Sequence, residues 1–395
     1  MNHISSDTQT APVLTSTPDG HLSIVPMENM KEFGQKVNDY LVEWRRDRVL
    51  NSAIPNMDGY ASPSYIVNTA VPRFTSGEGK AVINDSIRGN DIYILCDVNN
   101  YSLTYRMGPY QNTMSPDDHF QDLKRIIAAI GHGGRRVNVI MPYLYEARQQ
   151  TRKGRESLDC ANALQELVNM GVANIITFDA HDPRVENSIP LNGFLNFMPT
   201  YQFIKNILRN VPDMQVNANN LMAISPDEGG MRRAIYLANV LGIDMGMFYK
   251  RRDYSAPGNP IVEYEFLGSS VEGKDMIVLD DLISSGDTML QIARLLKERK
   301  ARRIFFCATF GIFTGGLEKF DKAYEEGLFD KILTTNLIYQ KPELFDKPYY
   351  ISCEMSKFVA LIIDTLNHDG SVRNLLNPID RIHAVVDKYK NHEPI

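Results

Sequence analysis

The stretch 276–289 combines residue types that together suit a phosphorylated sugar. An apolar run of strand length, 276–279, ends in two adjacent carboxylates, Asp280 and Asp281, and a turn of small residues follows. At the carboxyl edge of a parallel strand, such carboxylates can accept hydrogen bonds from sugar hydroxyls. The small residues whose backbone amides, with the start of the next helix, suit an anion are Ser284, Ser285, Gly286 and Thr288. Sugar hydroxyls beside a phosphate predict a phosphopentose ligand.

Two more predicted strands end in charged side chains. Asp227 begins the segment DEGG, where it could orient water on magnesium or act as an ordinary helix N-cap. Lys250, Arg251 and Arg252 stand side by side before a segment rich in turn-forming residues. They could close over a polyphosphate or form a solvated basic turn. Because ligands of open α/β sheets bind at the carboxyl edges of strands, several such strand ends in one chain favour a site.

One histidine follows a predicted strand in the same way. His181 lies in the sequence DAHD, between Asp179 and Asp182. These carboxylates could hold it near a cation, although isolated histidines are more often ordinary structural residues. His181 is therefore a candidate that needs support from its surroundings.

Short apolar runs alternate with helical segments, which predicts the α/β class with mainly parallel sheets flanked by helices. The predicted strands are 22–25, 92–96, 137–141, 175–178, 221–224, 245–249, 276–279 and 304–307. The predicted helices are 30–48, 116–130, 157–169, 200–209, 230–241, 288–300, 355–366 and 379–390.

This alternation divides into two α/β halves. A mobile leader is expected at 1–20 because it is rich in Ser, Thr and Asp and lacks periodicity. An N-terminal domain follows at 21–195, with an insertion at about 51–72 that is rich in Pro and Gly. A C-terminal domain at 196–370 and a helical tail at 371–395 complete the predicted division.

Composition limits the function classes. The chain has 395 residues, 43% hydrophobic and 23% charged, and a net charge of -6, which argues against broad nucleic-acid binding. Its four cysteines are dispersed without a CxxC pair, so neither a disulfide framework nor a zinc site is indicated. No export signal and no apolar stretch of membrane-spanning length is visible, which predicts a cytoplasmic protein that does not insert into membranes.

Six segments in chain order carry a family resemblance. They are RFTSGEGKAVINDSIRGNDIYIL at 73–95, PYLYEARQQTRKGRE at 142–156, ITFDAHDPRV at 176–185, SPDEGG at 225–230, YKRRDY at 249–254 and LDDLISSGDT at 279–288. Together they resemble the ribose-phosphate diphosphokinase family, also called phosphoribosyl diphosphate synthetases. The resemblance extends from about residue 22 to residue 377 and implies two phosphoribosyltransferase-like domains.

The resemblance also implies roles on the nucleotide side. Phe74 and Glu78 of a neighbouring subunit would contact adenine, and Arg148 and Gln149 would contact ATP. A site built in this way implies a homo-oligomer. The magnesium and the ATP phosphates would be served by His181 and Asp227.

On the sugar side, the resemblance places the ribose hydroxyls of ribose 5-phosphate at Asp280 and Asp281. The loop 284–288, which includes Asp287, would take the 5-phosphate. Lys250 and Arg252, with Mg²⁺, would stabilise charge as the diphosphoryl group of ATP passes to the C1 hydroxyl, releasing AMP.

Several positions depart from the family pattern. Ser76 stands where the family usually has Asp, Gln150 replaces an acidic residue, and Asp287 replaces a glycine of the phosphate loop. The Asp287 carboxylate would repel a phosphate if it pointed inward, so it is expected to face away. Two other functions stay open: a catalytically silent regulatory relative of the synthetase, and a phosphoribosyltransferase that consumes the same product.

Overall fold

The apolar runs of the sequence form the strands of two sheets in a computed structural model, which describes residues 16–18, 20–51, 57–152, 154–252 and 261–395. The side chains of 252 and 261–263 also lie outside the description. Most of the leader predicted at 1–20 lies outside the described residues too. Where the helices are described, none is long and apolar enough to cross a bilayer.

The strands are β1 (Leu22–Pro26), β2 (Thr69–Ala70), β3 (Val82–Ile83), β4 (Asp91–Leu95), β5 (Thr104–Met107), β6 (Tyr110–Thr113), β7 (Arg136–Ile140), β8 (Asn174–Phe178), β9 (Gly193–Phe197), β10 (Leu221–Ser225), β11 (Asp244–Arg252), β12 (Ile261–Leu267), β13 (Asp275–Ile283), β14 (Ile304–Gly311), β15 (Lys331–Thr335) and β16 (Tyr350–Cys353). The helices are α1 (Lys31–Leu50), α2 (Pro116–Ile130), α3 (Asp159–Asn169), α4 (Thr200–Asn210), α5 (Met231–Leu241), α6 (Asp287–Glu298), α7 (Glu318–Glu325), α8 (Ser356–Asn367), α9 (Arg373–Leu376) and α10 (Ile379–Lys390). Short 3₁₀ segments lie at Glu28–Met30, Pro183–Ser188 and Pro342–Asp346.

The first compact unit comprises Met1–Met198, Leu337–Tyr339 and Met355–Asn377. Its sheet has the strand order β1-β4-β7-β8-β9, and each neighbouring pair is parallel. The apolar faces of α2 and α3 pack on this sheet in one core cluster. The carboxyl ends of β7 and β8 lead directly into the turns that carry the predicted nucleotide and metal residues.

A buried ion network joins α1 to α8 inside the first unit. Arg45 and Arg48 donate to the two carboxylate oxygens of Asp364, at 3.1 and 2.5 Å, and the three side chains are almost inaccessible to solvent. The Arg45 guanidinium also lies 4.9 Å from the Tyr60 ring and 5.1 Å from the Tyr65 ring. Because both tyrosines belong to the insertion at 51–72, part of that insertion packs into this unit.

The second unit comprises Pro199–Asn336, Gln340–Glu354 and Pro378–Ile395. Its sheet has the order β12-β11-β10-β13-β14-β15-β16, in which only the edge pair β11–β12 is antiparallel among the described strands. Helices α4, α5 and α10 cover one face, and α6 and α7 cover the other. This is the mainly parallel, helix-flanked architecture that the alternating sequence pattern predicts.

The division into units differs from the predicted domain boundaries at 337–339 and after residue 354. The predicted break between 195 and 196 lies close to the observed one at Met198, but α8 and α9 belong to the first unit. Asp364 of α8 explains this placement, since its carboxylate is neutralised by arginines of α1. The end of the tail, α10, packs on α4 and α5 of the second unit through Ile382 and Val385.

Candidate functional site

Three neighbouring strands of the second unit bring predicted site residues to one edge. β10 pairs in parallel with β11 on one side and β13 on the other, so their carboxyl ends meet. Asp227 follows β10, Lys250 lies near the end of β11, and Asp280 and Asp281 lie near the end of β13. These residues come from three separate stretches of the sequence, and the order of the strands in the sheet brings them to one edge.

Asp227 and Lys250 form an ion pair at this edge. The ammonium of Lys250 donates to Asp227 Oδ2 at 2.7 Å, and the backbone amides of Gly229 and Gly230 donate to Oδ1 at 3.0 and 3.3 Å. Burial acts to raise the pKa of Asp227, but the hydrogen bond and charge of Lys250 together with the amides of Gly230 and Gly229 outweigh it, and the pKa is lowered. The carboxylate is therefore held ionised and fixed in orientation.

Asp280 and Asp281 place two carboxylates side by side. The backbone amide of Asp281 donates to Asp280 Oδ1 at 2.9 Å, and a guanidinium nitrogen of Arg233 lies 3.8 Å from Asp281 Oδ1. Burial and the adjacent Asp281 raise the pKa of Asp280 well above its usual value. Hydroxyl donors or a cation bound here would relieve this repulsion, because each favours the charged carboxylate.

The turn between β13 and α6 is shaped by Gly286. Its φ of 87° lies in the left-handed region, and a Cβ at this position would be 2.1 Å from the Phe320 ring. A second loop supports the turn, since the amide of Thr314 donates to the carbonyl of Ser284 at 3.0 Å. Glycine is thus required at residue 286, and the turn presents the start of a three-turn helix.

Asp287 is the first residue of α6, and its carboxylate is exposed. Oδ1 accepts a hydrogen bond from the ammonium of Lys319 at 2.5 Å, and Oδ2 accepts one from the hydroxyl of Ser285 at 2.7 Å. The hydrogen bonds from Lys319 and Ser285 lower the pKa of Asp287. A negative charge therefore stands at the end of the predicted phosphate loop, with a cation bound to it.

Phe74 and Glu78 lie together on a tight loop of the first unit. The amide of Phe74 donates to the carbonyl of Glu78 at 2.8 Å, and that of Gly77 donates to the carbonyl of Phe74 at 2.9 Å. Arg73 fixes the loop to α2 through two hydrogen bonds to Asp122, at 2.7 and 2.9 Å. The Phe74 side chain is 55% exposed. An anchored loop with an exposed ring suits contact with a flat ligand.

Arg148 and Gln149 lie in the turn that follows β7, and both are exposed. The turn is closed by a hydrogen bond from the Gln149 amide to the carbonyl of Glu146, at 2.8 Å. Glu146 has a φ of 52°, a conformation that costs free energy for a residue with a Cβ. Such a turn can present both side chains to an anionic ligand.

His181 is exposed and follows β8 within the first unit. The carboxylate of the neighbouring Asp182 accepts hydrogen bonds from the Arg184 guanidinium at 2.5 to 3.0 Å. Arg252, the other predicted catalytic cation, ends β11, and its side chain lies outside the described residues.

Carboxylate oxygens are the ligands that Mg²⁺ prefers, usually together with waters and substrate phosphates. Asp227, Asp280 and Asp281 supply such oxygens at one sheet edge. Within the described part of the chain, no group of three or more His, Cys, Asp or Glu side chains is arranged as a metal site. These residues fit a magnesium ion that arrives with nucleotide phosphates better than a preformed metal cage.

Two charged residues of this region were not assigned by sequence reasoning. Arg233 lies in the first turn of α5, and its position after the DEGG turn was a usable signal. Lys319 is separated from its partner Asp287 by 32 positions, and no motif links the two. Lys319 and Asp287 meet because the segments after the neighbouring strands β13 and β14 lie side by side, which only the structure shows.

Comparison with known proteins gives a consistent result for both units. The model of the N-terminal domain of ribose phosphate pyrophosphokinase matches residues 22–171, and the phosphoribosyl transferase domain model matches residues 198–344. The ribose-phosphate pyrophosphokinase of Vibrio parahaemolyticus is 28% identical over 316 residues, which cover 78% of this chain and 91% of the relative. That of Vibrio cholerae is 28% identical over 317 residues, with the same coverage.

A solved structure shares the fold. The phosphoribosylpyrophosphate synthetase from Mycobacterium smegmatis superimposes with a TM-score of 0.70 at 18% sequence identity, covering 89% of this chain and 100% of that one. The two-domain architecture is therefore that of a known enzyme fold.

Proposed function

The chain belongs to the ribose-phosphate pyrophosphokinase family, and we propose that it transfers the diphosphoryl group of ATP to the C1 hydroxyl of ribose 5-phosphate, giving phosphoribosyl diphosphate and AMP. The observation that carries this proposal is the β13–α6 turn, where paired carboxylates precede an amide-lined loop on the same sheet edge as the Lys250–Asp227 pair. The match to the N-terminal domain of the family supports a synthetase over a transferase that has only the phosphoribosyl transferase domain.

The sugar phosphate is held by β13 and the turn that follows it. Asp280 and Asp281 accept hydrogen bonds from the ribose hydroxyls, and the amides of 284–288 with the α6 N-terminus receive the 5-phosphate. The left-handed φ of Gly286 sets the backbone path of this loop.

The nucleotide is held by residues of the first unit. The exposed Phe74 ring and the Glu78 carboxylate take the adenine of ATP bound to a neighbouring subunit, and Arg148 with Gln149 contacts the ATP. This arrangement needs a homo-oligomer, because the loop 73–79 of one chain completes the site of another.

The reaction builds negative charge on phosphate oxygens, so cations at fixed positions contribute most to the rate. Lys250 is fixed by Asp227, and Arg252 follows two residues later in β11. When bound with ATP, Mg²⁺ would neutralise charge on the β- and γ-phosphates, and Asp227 is the proposed contribution of the second unit to its binding. His181 of the first unit is the other residue that the family resemblance assigns to the magnesium and the ATP phosphates. Asp227 orients the Lys250 ammonium and keeps it next to the reacting phosphates.

AMP release by the purified protein, with ATP, Mg²⁺ and ribose 5-phosphate, tests this function. The synthetase requires AMP to appear only when the sugar phosphate is present, in equal amount to phosphoribosyl diphosphate. A silent regulatory relative would release none. A phosphoribosyltransferase would instead release pyrophosphate when given phosphoribosyl diphosphate and a nucleobase.

A further inference from the structure

Asp287 introduces a charge that opposes the proposed role of its own loop. It is the first residue of α6, at the helix end where the 5-phosphate is to bind. A carboxylate there interacts favourably with the helix dipole, but it repels an incoming phosphate dianion. Something must therefore offset this charge if the loop is to bind ribose 5-phosphate tightly.

Lys319 supplies the opposite charge from a different element. It lies in the first turn of α7 and reaches Asp287 Oδ1 at 2.5 Å, while the Ser285 hydroxyl donates to Oδ2 at 2.7 Å. Both carboxylate oxygens are thus engaged by protein donors. These hydrogen bonds hold the Asp287 carboxylate in one orientation next to the phosphate loop.

The loop between β14 and α7 lies beside this lysine. A Cβ at Gly315 would be 3.2 Å from Lys319 Nζ, so the loop backbone passes close to the ammonium. The amide of Thr314 donates to the carbonyl of Ser284, which joins this loop to the phosphate loop. The lysine therefore reaches Asp287 from a loop that is hydrogen-bonded to the phosphate loop.

The ion pair is too exposed to contribute much to stability. The side chains of Lys319 and Asp287 are 30% and 74% exposed, and pairs of this kind are stabilising only weakly. The main effect of this ion pair is on the local charge at the phosphate loop. We infer that Lys319 is a positioning residue for ribose 5-phosphate: it neutralises Asp287 and holds its carboxylate away from the bound phosphate. This inference rests on the proposed function of the loop.

The test is the dissociation constant for ribose 5-phosphate, measured by calorimetry on the full chain without ATP. Lys319→Met should weaken binding by about tenfold, because it leaves Asp287 unneutralised beside the phosphate. In the double variant Asp287→Asn with Lys319→Met, most of the lost affinity should return. The KM for ATP and the melting temperature should change little in both proteins. Lys322→Met is the matched control, since Lys322 lies on the same helix and its ion pair is with Glu326, at 3.9 Å.

Two results would overturn the inference. One is unchanged ribose 5-phosphate binding in Lys319→Met. The other is a double variant that binds as weakly as Lys319→Met, which would mean that the lysine contacts the phosphate itself. If the wild-type protein binds ribose 5-phosphate with this pattern but releases no AMP, the proposed function fails and the inference stands.

Discussion

Replacing Lys250 by Met tests the electrostatic core of the proposed reaction. Lys250 is 16% exposed and its ammonium lies 2.7 Å from Asp227 Oδ2. Since a fixed cation of this kind stabilises charge that develops in the transition state, its loss should lower kcat by about a hundredfold to a thousandfold, or ~3–4 kcal/mol. The same substitution should cost about 1 kcal/mol or less in the free energy of unfolding, because partly exposed ion pairs are weak.

The variant should also change the pH profile. Burial acts to raise the pKa of Asp227, and the hydrogen bond and charge of Lys250 are the largest of the effects that lower it. Without the lysine this pKa rises, so the carboxylate becomes protonated at a higher pH. The acid limb of kcat should therefore move to higher pH in the variant, whereas the wild-type protein keeps the ionised carboxylate further into the acid range.

Steady-state AMP release at saturating ATP and ribose 5-phosphate measures both effects. Lys274→Met is the matched control, because Lys274 is 15% exposed and pairs with Asp244 at 3.4 Å. This pair lies at the amino-terminal ends of β11 and β13, away from the carboxyl ends that carry the site. Lys274→Met should keep wild-type kcat. An unchanged kcat in Lys250→Met would rule out the electrostatic role of Lys250, and so would a loss of unfolding free energy as large as the rise in the activation free energy.

Three further perturbations address the shared site, the phosphate loop and the first unit. Phe74→Ala should raise the KM for ATP without lowering stability. When Phe74→Ala and Lys250→Met proteins are mixed, about a quarter of the sites should become active by random assortment of subunits, because each of those sites takes an intact Phe74 and an intact Lys250 from different chains. Mixtures that are no more active than the two separate proteins would argue against a shared site. Gly286→Ala should raise the KM for ribose 5-phosphate by more than about tenfold, since the added Cβ collides with Phe320 and opposes the left-handed φ; titration with the sugar phosphate measures this. Asp364→Ala should lower the free energy of unfolding, measured in denaturant, by about 3–5 kcal/mol, because it leaves two buried arginines without their carboxylate partner. A much smaller loss of unfolding free energy would mean that the network is dispensable.

The sequence alone predicted the elements that carry the second-unit site. Apolar runs bounded by turn residues locate β10, β11 and β13, and the polar residues after them fall at the carboxyl edge because neighbouring parallel strands end together. The β13 strand extends to Ile283, beyond the predicted end at 279, since the Asp280 and Leu282 positions still pair with β14.

Features that depend on distant contacts escaped sequence reasoning. β9 was not predicted, and the domain boundary was expected at its position. Its residues are half-buried at a sheet edge and therefore give only a weak periodic signal. The hairpin β5–β6 consists of mostly exposed residues and was not anticipated. Helix α8 was located correctly in sequence, but the two arginines of α1 that bind its Asp364 are 319 and 316 positions away, so no local pattern could place it in the first unit.

The most direct measurement of the central claim is the structure of this protein crystallised with ribose 5-phosphate. The phosphorus atom should lie over the amides of 284–288, with ribose hydroxyls within hydrogen-bonding distance of Asp280 and Asp281. Sugar phosphate bound elsewhere, with this turn left empty, would contradict the proposed site.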